Sequence, residues 1–342
     1  MRADSSADIG AGHISRCGAL AEALFARGVR ATLLTRELAG SVAQATDAME
    51  VLALPPKLGD DRLCDCRAAE IARRWLEVDS ESSWLVVDHY DLDATWERAA
   101  RGDRTRVFAI DDLADRPHAC DLLLDQNLSA DGARRYSSRV RPDCRLLFGP
   151  RFALLRPAFA EAHASARVRQ RVKRVLFFFG GGDVFDLTTE AIKAIGLLGP
   201  TDAQFDVVVG GGNSRAGAIR ALVSGMPSVT FHFQTDRMAE LMAAADISVG
   251  AGGTATWERC CVGLPALVIV TAENQRRVVK EASEHGACRD LGYARDVTSS
   301  TIAAALEDAL SGDLDLSGMS RAALSIVDGK GAARVAEIML SA

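Results

Sequence analysis

The residues of this chain that could do chemistry lie in a few short polar segments, most of them glycine-rich. The first is Ile9-Gly10-Ala11-Gly12-His13-Ile14-Ser15-Arg16. Gly10 and Gly12 around the small Ala11 permit a tight turn and close approach of a ligand to the backbone. An amphipathic run follows directly, and the unpaired N–H groups of a helix's first turn form an anion site. His13 falls in that turn and Arg16 lies one turn on. A Gly-x-Gly pair is common in loops that bind nothing, so the competing reading is a capped helix with a structurally bonded histidine.

Phe178-Phe179-Gly180-Gly181-Gly182-Asp183 runs an apolar stretch into three glycines, whose successive backbone donors suit phosphate oxygens. A hinge is the alternative. Gly210-Gly211-Gly212-Asn213 repeats the pattern and reads as a flanking turn. Ala251-Gly252-Gly253-Thr254-Ala255-Thr256-Trp257-Glu258 is the most informative stretch, glycines opening a helix and again suited to a diphosphate. Glu258 there could accept hydrogen bonds from sugar hydroxyls, or it could complement the helix dipole.

Asp88-His89-Tyr90 and Asp111-Asp112 each follow an apolar run. Acid pairs can hold magnesium together with phosphate oxygens, and they can equally cap a helix or fix a loop. His89 is a conceivable second base, with a structural role as its default. Nucleophile-elbow, P-loop and HExxH motifs are absent, as is the full dinucleotide fingerprint, which argues against serine-hydrolase, ATPase, zinc-protease and dehydrogenase chemistry.

The elements that must position these residues alternate strand and helix. Ala31–Leu34, Trp84–Val87, Arg106–Ile110 and Asp121–Leu124 read as strands buried on both faces. Cys17–Arg27 and Arg67–Glu77 read as the helices between them. The pattern resumes with strands at Val175–Phe179, Phe205–Val209, Val229–Phe231, Ile247–Val249 and Ala266–Val270. Helices are expected at Leu187–Leu197, Arg237–Ala244, Thr256–Val262, Gln275–His285 and Ser300–Leu310. Such alternation implies an α/β fold of parallel sheets covered on both sides.

With 342 residues and one domain per ~150 residues, two doubly wound, Rossmann-like domains facing a cleft are expected. The charged stretch Glu161–Lys173 marks the boundary, dividing the chain into 1–160 and 161–342. Met1-Arg2-Ala3 is too short and polar for a full core strand, so the first strand is either a stub or begins upstream.

Composition excludes some classes. Hydrophobic residues make up 48% and charged residues 25%, ordinary for a folded chain. A net charge of -6 without a basic cluster argues against nucleic-acid binding. No apolar run approaches the ~20 residues of a membrane span, and the N-terminus lacks a signal core. A cytoplasmic monomer without stable membrane association is expected. The eight cysteines match no zinc spacing, and Cys64-Asp65-Cys66 is one residue short of CxxC, so thiols are expected.

Taken in order, these segments resemble the UDP-2,4-diacetamido-2,4,6-trideoxy-β-L-altropyranose hydrolases of pseudaminic acid biosynthesis. The resemblance is carried by Arg2-Ala3-Asp4-Ser5-Ser6, Gly10–Arg16, Val87-Asp88-His89-Tyr90 and Ile110-Asp111-Asp112. It continues through Pro117–Asn127, Gly149–Arg156, Phe179–Asp183, Gly250–Glu258 and Glu273-Asn274-Gln275, nearly the whole chain. Spore-coat polysaccharide proteins share much of this pattern. The family has an apolar strand before its Arg-Ala-Asp-Ser-Ser segment, where this chain has only Met1.

The resemblance implies a GT-B fold, related to the glycosyltransferase that makes lipid II. It implies a first domain that holds the sugar and a second that binds UDP. Water would attack the anomeric carbon with inversion and UDP would leave. His13 would be the general base. Gly10, Ala11, Gly12, Arg16, Gly181 and Gly182 would belong to the binding loops, and Tyr90 would orient the sugar. Gly252, Gly253 and Thr254 would cradle the diphosphate, Glu258 would bind the ribose, and Asn274 with Gln275 would reach sugar or phosphates. No cofactor or metal is expected, since fixed donors can neutralise the departing diphosphate. Rival readings are a glycosyltransferase of the same fold and a non-catalytic nucleotide-sugar-binding protein.

Overall fold

The computed structural model describes residues 1–6, 9–54, 61–77, 83–129 and 131–342, without the side chains of 61–65, so Cys64 lies outside the described side chains. Met1–Ser5, His13–Arg156 and Lys330–Ala342 form one unit, and Ser6–Gly12 with Pro157–Gly329 form another.

In the first unit the elements are β1 (Arg2–Ala3), α1 (Gly12–Phe25), β2 (Ala31–Arg36), β3 (Met49–Leu54), α2 (Asp61–Glu77) and β4 (Ser83–Asp88). They continue with α3 (Ala94–Ala100), β5 (Thr105–Ile110), β6 (Leu122–Asp125), α4 (Gly132–Tyr136) and β7 (Arg145–Phe148). The sheet order is β3-β2-β1-β4-β5-β6-β7, all parallel. β1 is indeed a stub of two residues, yet it is central. Its Arg2 is buried because the guanidinium pairs with the Asp4 carboxylate just beyond the strand. β3 and β7 escape the sequence pattern: Met49-Glu50-Val51 alternates with a charge, and Arg145–Phe148 is only four residues long.

The second unit contains α5 (Pro157–Ala164), β8 (Arg174–Phe178), α6 (Leu187–Ile195), β9 (Gln204–Val209), α7 (Ala216–Val223) and β10 (Val229–Phe233). Then follow α8 (Met238–Ala244), β11 (Ile247–Ala251), α9 (Ala255–Cys261), β12 (Ala266–Val270), α10 (Glu273–Glu284), β13 (Cys288–Tyr293), α11 (Ser299–Ser311) and α12 (Leu316–Ile326). Its sheet, also all parallel, has the order β10-β9-β8-β11-β12-β13. Val175, Phe177, Phe205, Val207, Val249 and Ile269 fill one face of it under α6 and α11.

The last helix, α13 (Gly331–Leu340), belongs to the first unit, whereas a division at 160/161 gives it to the second. Its Ala332, Val335, Ala336 and Met339 pack with Leu20, Leu24, Phe108 and Ile110. Trp84 Nε1 also donates to the Met339 carbonyl at 3.0 Å. Helical periodicity identifies an apolar stripe but not the sheet that will cover it. Among the described residues no helix is long and apolar enough to cross a membrane.

A buried charge cluster braces the carboxyl end of β5. Glu97 on α3 takes His118 Nδ1 at 2.7 Å and the Ala119 amide. Asp111 accepts from Tyr136 Oη at 2.9 Å, from the Ala114 amide at 2.8 Å and pairs with Arg116. Burial opposes charge on His118, but Asp111 and Glu97 outweigh it and raise its pKa to about 9. The folded value lies above the ordinary ~6.5, so this stabilisation is complete below about pH 6.5 and is lost as pH rises through about 9. His118→Gln should therefore cost about 2–3 kcal/mol at pH 6 and clearly less at pH 10, measured by urea denaturation. An equal cost at both pH values would show that charge plays no part.

Candidate functional site

In each sheet the chain order reverses once at the centre, between β1 and β4 and between β8 and β11. Parallel α/β sheets bind ligands beyond the carboxyl ends of strands at such a reversal. In the first unit the residues collected there are Asp4 and Ser5, Asp88 to Tyr90, and His13 with Arg16 on α1.

Asp88 closes β4 and is buried. Its Oδ1 lies 2.6 Å from His13 Nδ1 and 2.7 Å from Arg16 Nη2, and its Oδ2 accepts from Arg16 Nε at 2.8 Å. Burial alone would favour the neutral acid. The Arg16 guanidinium and then His13 overcome this and hold the Asp88 carboxyl well below the usual range. An ionised carboxylate can only accept, so the proton of this hydrogen bond belongs to Nδ1. The neutral ring then presents Nε2 as its basic nitrogen. Arg16, expected among the ligand contacts, is also committed to orienting this pair.

Tyr90 stands edge-on to His13, with ring centroids 4.7 Å apart at 78°. It hydrogen-bonds Asp112, which also accepts from Asn127 Nδ2 at 3.2 Å. Burial pushes the Asp112 carboxyl up, with Arg16 opposing and Asp111 adding to the rise. A small pocket here is lined by Arg16, Tyr90, Ile110, Asp111, Asp112, Leu124 and Gln126. Deeper, burial raises the Asp125 carboxyl to about 7, against the Asn127 amide and with help from Asp112. His89 takes a different part. Its Nε2 lies 3.1 Å from Asp4 Oδ2 and its Nδ1 accepts from the Asp91 amide at 3.1 Å, so both ring nitrogens are engaged. Among the described residues no group of three or more His, Cys, Asp or Glu side chains is arranged to hold a metal ion.

In the second unit, Gly10, Ala11 and Gly12 group with the glycine loops, and Ala11 Cβ comes within 3.5 Å of where a Cβ on Gly181 would stand. Gly180–Gly182 leads into Asp183, whose carboxylate accepts from the Leu187 and Thr188 amides at 2.9 Å and ties the loop to α6. Gly210–Asn213 closes a turn, the Asn213 amide donating to the Gly210 carbonyl at 3.1 Å. Beyond β11 the backbone is tightly confined. A Cβ on Gly250 would lie 2.2 Å from the Phe178 carbonyl oxygen, and one on Gly252 would lie 2.2 Å from Val279 Cγ2. The Gly252 amide is used by Ile269, while the Gly253 and Thr254 amides have no acceptor among the described residues. Glu258 is half-buried on α9. Gln275 Oε1 accepts from the Thr271 amide at 3.0 Å and its hydroxyl at 2.9 Å. Its Nε2 thereby turns toward Gly253, 3.7 Å from where a Cβ there would stand. Asn274 is beside it in the first turn of α10.

Sequence reasoning singled out His13, Tyr90, Asp88 and Asp112 but not the pairing of His13 with Asp88 or of Tyr90 with Asp112. An acid at the carboxyl end of an apolar strand was the available signal for Asp88. Its pairing across 75 positions was not.

Residues 175–337 match the family model of the glycosyltransferase family 28 C-terminal domain. The spore coat polysaccharide biosynthesis protein SpsG of Bacillus subtilis is 30% identical over 202 residues, 58% of this chain and 59% of that protein. The matched stretch thus spans less than two thirds of that relative. Acinetobacter baumannii MurG has a similar structure, with a TM-score of 0.65 at 13% identity, covering 100% of this chain and 99% of that one. Os79 of O. sativa, solved in complex with UDP and deoxynivalenol-3-glucoside, gives 0.64 at 14% identity, covering 99% of each chain. With two all-parallel α/β units, these likenesses establish the GT-B fold.

The state of His13 is directly observable. Nitrogen NMR of the histidine rings should show His13 protonated at Nδ1 in the neutral form, and Asp88→Asn should shift the population toward Nε2–H. Identical tautomer populations in the two proteins would remove Asp88 from the orienting role.

Proposed function

We propose that this chain is an enzyme that breaks the bond between an anomeric carbon and the diphosphate of a UDP-sugar, with His13 taking the proton of the incoming nucleophile. The observation that carries this reading is the buried Arg16–Asp88–His13 arrangement. It leaves one imidazole nitrogen as an acceptor on a ring packed against Tyr90, as general-base chemistry requires. The nucleophile's oxygen bonds to the anomeric carbon while the glycosyl–oxygen bond breaks and its electrons pass to UDP. The proton goes to Nε2, and a single displacement inverts configuration. Tyr90, placed against His13 and Asp112, would orient the sugar.

The family 28 match, and the UDP complex of a protein with this fold, support a UDP site in the second unit. There Gly181, Gly182, Gly253 and Thr254 offer backbone donors to the diphosphate. Glu258 would take the ribose hydroxyls, with Asn274 and Gln275 alongside.

Two nucleophiles fit this chemistry. Transfer to a hydroxyl of an acceptor is the reading the comparisons support better, and the name of the B. subtilis relative points to a surface polysaccharide. Attack by water is supported by the motif resemblance from Arg2 to Gln275. Its substrate would be UDP-2,4-diacetamido-2,4,6-trideoxy-β-L-altropyranose, its product a free sugar for nonulosonic acid synthesis. Proton NMR of that substrate with the protein separates the two. Free sugar and UDP appearing without acceptor mean hydrolysis, and UDP release that waits for added acceptor means transfer.

His13→Ala should lower turnover about 10²- to 10⁴-fold and leave UDP affinity within about twofold. Parallel losses in both would make His13 a binding residue, unchanged turnover would remove it from catalysis, and a wild-type chain that binds UDP without consuming any UDP-sugar would support a protein that only binds its nucleotide sugar. Glu258→Ala should weaken UDP binding about tenfold, by the loss of hydrogen bonds to a charged acceptor, and raise KM with it. An unaltered dissociation constant in calorimetry would end the ribose assignment.

A further inference from the structure

Arg259 on α9 is 1% exposed, yet it has no carboxylate partner among the described residues. Its Nη2 donates to the Ala251 carbonyl at 2.9 Å and to Thr256 Oγ1 at 3.2 Å. Nε and Nη1 are buried and donate to nothing. Arg169, equally buried in the same unit, differs: its nitrogens reach the carbonyls of Arg167, Met242, Ala243, Ala245 and Val262. Room for Arg259 exists because residue 250 is glycine, since a Cβ there would come within 2.9 Å of Nη1.

A desolvated cation with two idle donors is costly, and a methionine of similar size would avoid the cost. Burial lowers the arginine's pKa from its ordinary value, but a guanidinium keeps its proton at neutral pH. Its two hydrogen bonds, to Ala251 and Thr256, bracket the loop whose Gly253 and Thr254 amides have no acceptor among the described residues. α9 is only seven residues long, so few aligned peptide dipoles are available to neutralise an anion on the loop.

We infer that Arg259 is a buried counter-charge for the diphosphate of a nucleotide ligand held on the Gly253–Thr254 amides. It acts through the loop and the low-dielectric interior without touching the ligand. It is thus a positioning residue, and the inference rests on the reading that this unit binds UDP. The anion offsets the cost of the unpaired cation, so stability and affinity are set against each other at this position.

The test is calorimetry with UDP and with uridine, alongside thermal unfolding without ligand. The wild-type chain should bind UDP much more tightly than uridine. Arg259→Met should keep or raise the unfolding temperature, weaken UDP about tenfold or more, and change uridine affinity less than about twofold. Equal weakening of UDP and uridine, or an unchanged UDP affinity in the folded variant, would overturn the inference. Absence of UDP binding by the wild type would instead overturn the nucleotide reading beneath it. Should Arg259→Met not fold, Arg259→Lys provides the reading. A buried ammonium loses its proton more readily than a guanidinium, so UDP affinity of this variant should fall between about pH 7.5 and about pH 9.5 while the wild type holds. A pH-independent affinity in Arg259→Lys would overturn the counter-charge.

Discussion

All strand pairing in both sheets is parallel, and much else in the protein depends on this. Parallel strands need a crossover between them, and among the described residues all of these except β2 to β3 and β5 to β6 run through a helix. Chain order reverses at β1/β4 and at β8/β11, and at each reversal two loops diverge, the place where parallel α/β sheets gather ligand-binding residues. Asp88 and Tyr90 lie at one such point, and the Gly180–Gly182 and Gly252–Thr254 loops lie at the other. The apolar strands on which they stand are rigid enough to hold hydrogen-bond distances.

The two units handle buried charge differently. In the first, carboxylates dominate and each is answered: Asp4 by Arg2 and His89, Asp88 by Arg16 and His13, Asp111 by Arg116 with His118 close by. The result is that the His13 ring has its orientation set by charge. Among the described residues, the second unit buries Arg169 and Arg259 without a paired carboxylate. Arg169 is satisfied by carbonyls at the ends of α8 and α9, which helix dipoles make good acceptors for a cation. Arg259 is not satisfied in this way, and an uncompensated positive charge is what an anion site needs.

The GT-B fold is shared by proteins that differ in what receives the sugar, so it does not decide between water and a hydroxyl. On the proposed reading, that choice rests on which nucleophile His13 receives. The pocket lined by Tyr90 and Asp112 is small, and apolar Ile110 and Leu124 share its walls with Arg16, Asp111 and Gln126.

Much of this was legible in the linear chain. The alternation of apolar runs with amphipathic segments indicated parallel α/β sheets, because those periods are local properties of the backbone. Glycine runs after strands, and His13 at a helix start, marked candidate loops for the same reason. Tertiary structure alone decided the rest. β1 owes its central place to pairing with β2 and β4, which two residues cannot announce. The affiliation of α13 follows from which sheet offers apolar surface to it. Asp88 becomes the partner of His13, and Arg259 an unanswered charge, only when strand order and helix packing bring distant positions together or keep carboxylates away. Periodicity reports the state of neighbours along the chain, whereas the balance of a buried charge depends on every element packed around it.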